Sequence, residues 1–335
     1  MSGLVPWWRV ASVALVLLAG CASVHLGTPR DCHALDEPMR APVSEPDLRV
    51  LTWNVHGIPT VPVMDERISR IASAIRERRP DIVFLQEVWF KGDARLFAEA
   101  LGRDYTRLED PPTVADTFVY RAAGFRRGGL LTFWRTDRGF AVDALRSGFT
   151  YFANGCSGCP LQQGDGFAHK GVQQTAMRMR GMDVVLLNTH LQSQYPEAAQ
   201  AYELVRSEQI DDLASRVKRI DRAALVIVSG DFNTAPRGPD EWLYQRLTAG
   251  LRDLTEPFRS RCCASIGEPA AGACPCVTQV VGNGAAAEWI DYLLVRPHAQ
   301  WEVRATYLNL IRSQSEDCPY SDHSGIEMGL AMSSR

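Results

Sequence analysis

The apolar positions of this chain fall into short dense runs, and between them lie segments whose apolar residues recur at helical spacing. Leu48-Arg-Val-Leu-Thr-Trp-Asn54 reads as a buried strand. Ile68, Ile71, Ala72 and Ile75 follow three and four residues apart among Arg and Glu, the stripe of an amphipathic helix that Pro80 closes. Ile82-Val-Phe-Leu85 is a second strand, with Glu87 just past its end. Asp93 serves as an N-cap for a helix carrying Leu96, Phe97 and Leu101. Strands are expected near Thr117 to Tyr120 and Leu130 to Trp134, then a Gly/Cys-rich loop from Asn154 to Gly166. Val184-Val-Leu-Leu-Asn188 and Leu225-Val-Ile-Val-Ser229 are the clearest strands, separated by a long helix from about Glu197 to Ile220. Residues 255 to 287 are rich in Cys, Gly, Ala and Pro and read as a disulfide-pinned surface loop. Ile290 to Val295 and Gly325 to Ala331 return to strand character. Strands alternating with helices and hairpins predict an α/β domain of two packed sheets with helices outside.

Polar residues cluster where the runs stop. In chain order they are Trp53-Asn54, Gln86-Glu87, Asn188-Thr189-His190, Gly230-Asp231-Phe232-Asn233, Ile290-Asp291-Tyr292 and Ser321-Asp322-His323. Strand ends at one sheet edge would present them together. Carboxamides, carboxylates and two histidines in such a group suit hydrolysis of a phosphate ester with a hard divalent metal. Glu87 is the first-choice ligand, because Mg²⁺ takes one or two carboxylates plus water. Asn54 offers a neutral oxygen to the metal or an amide to the phosphate. His323 is the candidate general base, since an imidazole can accept a proton from water near neutral pH. Asp291 would fix its tautomer. That acid lies inside the apolar run Trp-Ile-Asp-Tyr-Leu-Leu-Val, where an unpaired charge is costly, and this favours a functional role.

Composition adds a targeting segment and a compartment. Arg9 precedes an apolar run from Val10 to Ala19, too short to span a bilayer comfortably. The run ends in Leu18-Ala19-Gly20-Cys21, which resembles the lipobox of bacterial lipoproteins. That resemblance implies a signal peptide over 1–20, acylation of Cys21, and anchorage in the cell envelope. Ala22 after the cysteine would favour the outer membrane in a Gram-negative organism. Residues 21–47 then read as a Pro-rich, polar tether, and 48–335 as one catalytic domain. Apart from Cys21 there are Cys32, Cys156, Cys159, Cys262, Cys263, Cys274, Cys276 and Cys318, an even set that suits disulfides in an exported chain. A zinc site from Cys262, Cys263, Cys274 and Cys276 is the cramped alternative. Cys156 and Cys159 form a local disulfide or a redox pair. The formal charge of −3 argues against a protein whose main task is to coat nucleic acid, though not against a nuclease with a local basic groove.

The ordered motifs resemble the endonuclease/exonuclease/phosphatase superfamily from about residue 48 to 331. The resemblance implies a four-layered α/β sandwich, two packed mixed β-sheets flanked by helices, and Mg²⁺ or another divalent cation such as Mn²⁺ as cofactor. It assigns Asp231 to orienting the attacking water and Asn233 to the phosphoryl oxygens. It gives His190 a phosphate oxygen or the leaving group, and Asp322 either the metal or the bracing of His323. Asn54-Val-His-Gly-Ile-Pro59 and Leu85-Gln-Glu-Val-Trp89 are similar to the start of neutral sphingomyelinases. Gly164-Asp-Gly-Phe-Ala-His-Lys170 is similar to their lysine-containing loop, with Gly166 where Trp is usual, and makes Lys170 a candidate phosphate ligand. His56 stands where some relatives that cut DNA at abasic sites have Asp, and is left outside the expected site.

Three functions are therefore carried forward. The first is a Mg²⁺-dependent phosphodiesterase, monomeric, acting on a phospholipid head group beside the membrane that holds lipidated Cys21. The second is an exported nuclease on the same fold, with nucleic acid as partner. The third is a membrane-tethered binding module without catalysis. A nuclease needs a basic groove tracking phosphates, and a lipid enzyme needs exposed apolar or aromatic residues beside the site.

Overall fold

The computed structural model describes residues 34–38, 45–58, 64–108, 124, 126, 128–155, 168–195, 199–264, 278–279, 288–313 and 320–335. They build two sheets. The first has seven strands in the order β1 (Ala34–Pro38), β12 (Trp301–Ser313), β13 (Gly325–Ser334), β2 (Leu48–Asn54), β3 (Ile82–Gln86), β5 (Leu131–Arg135) and β4 (Tyr105–Arg107). The second has six, in the order β10 (Arg252–Asp253), β11 (Asp291–Val295), β9 (Leu225–Asp231), β8 (Met182–His190), β7 (Gly171–Met179) and β6 (Ala141–Tyr151). The fold is the expected α/β sandwich of two mixed sheets flanked by helices.

Each sheet holds one parallel pair, β2 with β3 and β8 with β9. A parallel pair needs a crossover, and helices α1 (Met64–Arg78) and α3 (Ala199–Arg219) supply the two. Both crossovers therefore begin at the same kind of place, the C-terminal end of a central strand. Strand alternation then sorts the side chains. Leu51, Trp53, Val83 and Leu85 pack outward on α1 and on α2 (Lys91–Leu101), with Ile68, Ile71, Ile75 and Phe97. Leu48, Val50, Ile82 and Phe84 belong to the larger core shared with the second sheet. By the same alternation Thr52, Asn54 and Gln86 face that sheet.

A buried polar bridge ties the sheets together near the functional edge. Gln86 Nε2 donates to Asn188 Oδ1 at 2.8 Å, and Asn188 Nδ2 donates to the Leu85 carbonyl at 3.1 Å. Thr132 Oγ1 donates to Gln173 Oε1 at 2.8 Å. These bonds satisfy both donors and acceptor of Asn188 and the amide nitrogen of Gln86, which lowers the cost of burying them.

Several sequence expectations are corrected. Ala34–Pro38, inside the segment read as tether, pairs with β12 in register from Ala34↔Ser313, so sheet structure begins before residue 48. The α2 N-cap position falls on Phe90, and Asp93 sits within the first turn. Part of the expected 255–287 loop is helix α5 (Glu256–Ala264), which follows α4 (Glu241–Thr248) and β10. Strands β6, β7 and β12 were not foreseen, because Gln, Arg and Thr interrupt their apolar pattern. The strand expected at 117–120, Cys21, and the side chains of all eight other cysteines lie outside what is described. No helix among the described residues is long and apolar enough to cross a membrane.

Candidate active site

Strand register delivers the site. His190, Asp231 and Asp291 are Cα partners in one row across β8, β9 and β11. On the facing sheet Asn54 pairs with Gln86 at the ends of β2 and β3. The two rows meet through Asn54, whose Nδ2 donates to Glu87 Oε1 at 3.0 Å and to Asp231 Oδ2 at 2.9 Å. Its Oδ1 accepts the His56 backbone N–H at 3.0 Å.

Asp231 is the hub. Its Oδ1 accepts the Asn233 backbone N–H at 2.9 Å, while Oδ2 lies 3.4 Å from His190 Nε2 and 3.6 Å from His323 Nε2. His323 Nδ1 meets Asp291 Oδ2 at 2.8 Å, the arrangement of a base with its orienting acid. The loop bearing His323 is fastened by its own neighbours. Ser321 Oγ donates to the Asn54 carbonyl at 2.6 Å and accepts the His323 N–H at 3.1 Å, and Trp53 Nε1 donates to the His323 carbonyl at 3.0 Å.

Burial and charge set the protonation states. Burial alone would lower the His323 pKa, but the charges of Asp291 and Asp231 and the Asp291 hydrogen bond outweigh it, and the pKa is raised. The two carboxylates thus favour the protonated form of the ring. Asp231 is pushed up, first by burial and then by the like charge of Asp291, against the pull of His323 and Asn54. His190 goes the other way. Burial, Lys170 and His323 together hold it well below the ordinary imidazole value, so it is neutral. Lys170, the candidate phosphate ligand, is buried, with Nζ 5.6 Å from the centre of the Trp89 ring. His190 also packs against Trp89, 6.2 Å between ring centres.

The donor set fits a hard cation. Glu87 is anchored through Oε1, and its Oε2 is buried without a hydrogen-bond partner. A buried, uncompensated carboxylate oxygen is costly unless a cation takes it. Asp322 of the expected metal set is instead paired with His56, Oδ1 to Nδ1 at 3.2 Å, and accepts from Ser321. Among the described residues, ligand-type atoms of Asp231, Asp291 and His323 also lie within 4.8 Å of one another. Both ring nitrogens of His323 already face carboxylate oxygens, Nδ1 that of Asp291 and Nε2 that of Asp231, so Glu87 with Asn54 remains the better place for a metal. Backbone strain gathers here as well. His56, Glu87 and Asn233 are non-glycine residues with φ of 49°, 61° and 46°.

Of the nine expected residues of the catalytic, phosphate and metal sets, hydrogen bonds and ion pairs join Asn54, Glu87, His190, Asp231, Asn233, Asp291 and His323 directly. Asn233 Nδ2 also donates to the Leu191 carbonyl at 3.0 Å, which leaves its second amide hydrogen. Sequence reasoning left His56 outside the site and gave no role to Trp89, Ser321 or Arg67, although all but Arg67 lie inside quoted motifs.

Comparison with known proteins agrees with this geometry. The Endonuclease/Exonuclease/phosphatase family matches residues 51–323. "Inositol phosphosphingolipids phospholipase C" of Schizosaccharomyces pombe is 24% identical over 319 residues, covering 86% of this chain and 69% of that protein. "Putative neutral sphingomyelinase" of Drosophila melanogaster is 29% identical over 193 residues, 57% of this chain and 40% of that protein. "Sphingomyelin phosphodiesterase 2" of Mus musculus is 24% identical over 290 residues, 83% and 64% respectively. The match thus spans less than two thirds of the fly and mouse proteins. Among solved structures, D. rerio TDP2 complexed with single strand DNA product superimposes with a TM-score of 0.60 at 19% identity, covering 84% of this chain and 98% of that one. SmcL gives 0.58 at 14% identity over 84% and 98%. These structural likenesses establish the fold.

Proposed function

This chain belongs to the Endonuclease/Exonuclease/phosphatase family, and from that premise we propose that it is a Mg²⁺-dependent phosphodiesterase cleaving a phospholipid head group. The observation that carries the chemistry is the joining of Glu87 and the Asp291–His323 pair through Asn54 and Asp231. Glu87 and Asn54, with Asp322 beside them, would hold a divalent cation, whose charge would offset that developing on the phosphoryl oxygens. In its neutral form His323 takes a proton from the attacking water through Nε2 while Asp291 holds Nδ1, and the flanking carboxylates stabilise the imidazolium that results. Asp231 orients that water. Asn233, neutral His190 and Lys170 face the phosphoryl oxygens and the leaving group.

Lipid is favoured over nucleic acid by two observations. The curated relatives named above bear sphingolipid names. Ile58 stays exposed in the segment that follows β2, whose end carries Asn54. The nuclease reading keeps the support of the TDP2 likeness. Acylation at Cys21 and anchorage in the cell envelope complete the proposal, and put the catalytic domain beside its substrate. Protein lacking residues 1–21 should be assayed with Mg²⁺ on sphingomyelin, phosphatidylcholine, phosphatidylinositol and DNA side by side. Release of a phosphorylated head group supports the lipid assignment. Efficient, steeply salt-dependent DNA cutting with no lipid turnover would replace it with the nuclease. For the anchor, Cys21→Ser should release the full-length protein from membranes.

A further inference from the structure

We infer that Arg67, a residue of α1 outside every motif, is the positioning residue that locks the metal half of the site to the base half. The inference rests on the phosphodiesterase reading above. Arg67 is 1% exposed, and its guanidinium reaches two loops at once. Nη2 donates to the Val55 carbonyl at 2.7 Å and Nη1 to the His56 carbonyl at 3.1 Å, gripping the turn directly after Asn54. Nε and Nη2 donate to the Tyr320 carbonyl at 3.0 and 2.7 Å, gripping the start of the loop that carries Asp322 and His323. The remaining contact is Nη1 to Met64 Sδ at 3.5 Å.

Three carbonyls from two loops on one planar fork is a geometric constraint, and an ammonium cannot reproduce it. A buried cation is also costly in itself. Burial is the largest influence on Arg67 and lowers its pKa, while the charges of Asp322 and Glu87 offset it. A fold needing only to fill this space would do so more cheaply with an apolar side chain. The two gripped loops belong to chain segments about 265 residues apart, and a second bridge between them is Ser321 Oγ to the Asn54 carbonyl. Arg67 touches neither the reacting atoms nor the phosphate. It acts through the relative placement of Asn54 and His323.

The test uses Arg67→Met, Arg67→Lys and Arg67→Ala in protein lacking residues 1–21, with bis(p-nitrophenyl) phosphate and sphingomyelin vesicles. A misplacement of about 1 Å costs roughly 10²-fold in turnover. Arg67→Met should therefore lose about 10²-fold in kcat with KM within a few-fold. Arg67→Lys, which keeps the charge but not the fork, should recover only part. Millimolar methylguanidinium should restore Arg67→Ala and leave the wild type unchanged. Melting curves fix the folded fraction at assay temperature. The inference is overturned if all three variants stay within threefold of wild type per folded molecule, or if the loss follows the unfolded fraction and methylguanidinium restores nothing. Wild-type protein inert on both substrates would instead overturn the phosphodiesterase reading on which the inference stands.

Discussion

Gly57→Ala offers a test in which one methyl group is aimed at the metal ligand from behind. An alanine Cβ at 57 would stand 2.1 Å from the Glu87 carbonyl oxygen and 3.2 Å from its carbon. Ordinary contact begins at 3.4 Å, so the loop after β2 and the turn at Glu87 must separate by roughly 1 Å. The obstacle is backbone, and Glu87 already holds a φ of 61°, which leaves it little room to rotate away. Overpacking of this size costs about 1–3 kcal/mol of stability. The larger consequence is catalytic, because a shift of about 1 Å at a reacting group costs roughly 10²-fold. Steady-state kinetics on bis(p-nitrophenyl) phosphate should show kcat falling by about that factor. The Mg²⁺ concentration for half-maximal activity should rise while KM moves little. Gly230→Ala is the contrasting variant. Its Cβ would lie 1.9 Å from the Thr189 carbonyl inside the sheet at a φ of 147°, so it should fail to fold at all. A Gly57→Ala enzyme with wild-type melting, Mg²⁺ response and kcat would refute the placement of Glu87 as a fixed ligand.

Three further outcomes follow from the same geometry. His323→Ala should abolish turnover, and Asp291→Asn should cost up to ~10⁴-fold through loss of tautomer control; variants within a few-fold of wild type would make the pair structural. Glu87→Gln keeps shape but removes ligand charge, so Mn²⁺ binding measured by electron paramagnetic resonance should weaken together with kcat, and unaltered binding would move the metal elsewhere. Asp47 is held below its ordinary 3.8 by the Met332 N–H, against partial burial and with help from Arg180. Its folded pKa is thus the lower one, so its contribution is complete above about pH 4 and is lost as pH falls through the folded value. Asp47→Asn should flatten the acid side of a plot of urea midpoint against pH, and identical slopes in both proteins would reject the linkage.

The sequence by itself determined the identity of the central strands and of the chemistry at their ends. Leu48–Asn54, Ile82–Gln86, Met182–His190 and Leu225–Asp231 announce themselves because a strand buried on both faces is apolar at nearly every position. A polar residue that ends such a run is conspicuous, and Asn54, Glu87, His190, Asp231 and Asp291 were legible for that reason. Tertiary structure alone decided how they meet. Register across β8, β9 and β11 sets three of them in a row, and the facing first sheet brings Asn54 onto Asp231 across 177 residues of chain. Strands β6, β7 and β12 were hidden because polar residues interrupt them, and Gln173 of β7 is buried with its partner Thr132 far off in sequence. Arg67 was hidden for the same reason. On α1 it looks like any solvated arginine of an amphipathic helix, and only the folded chain surrounds it with the carbonyls of two remote loops. Local pattern reports which residues must leave water, whereas the partners that satisfy a buried polar group are supplied by contacts that exist only once the sheets have packed.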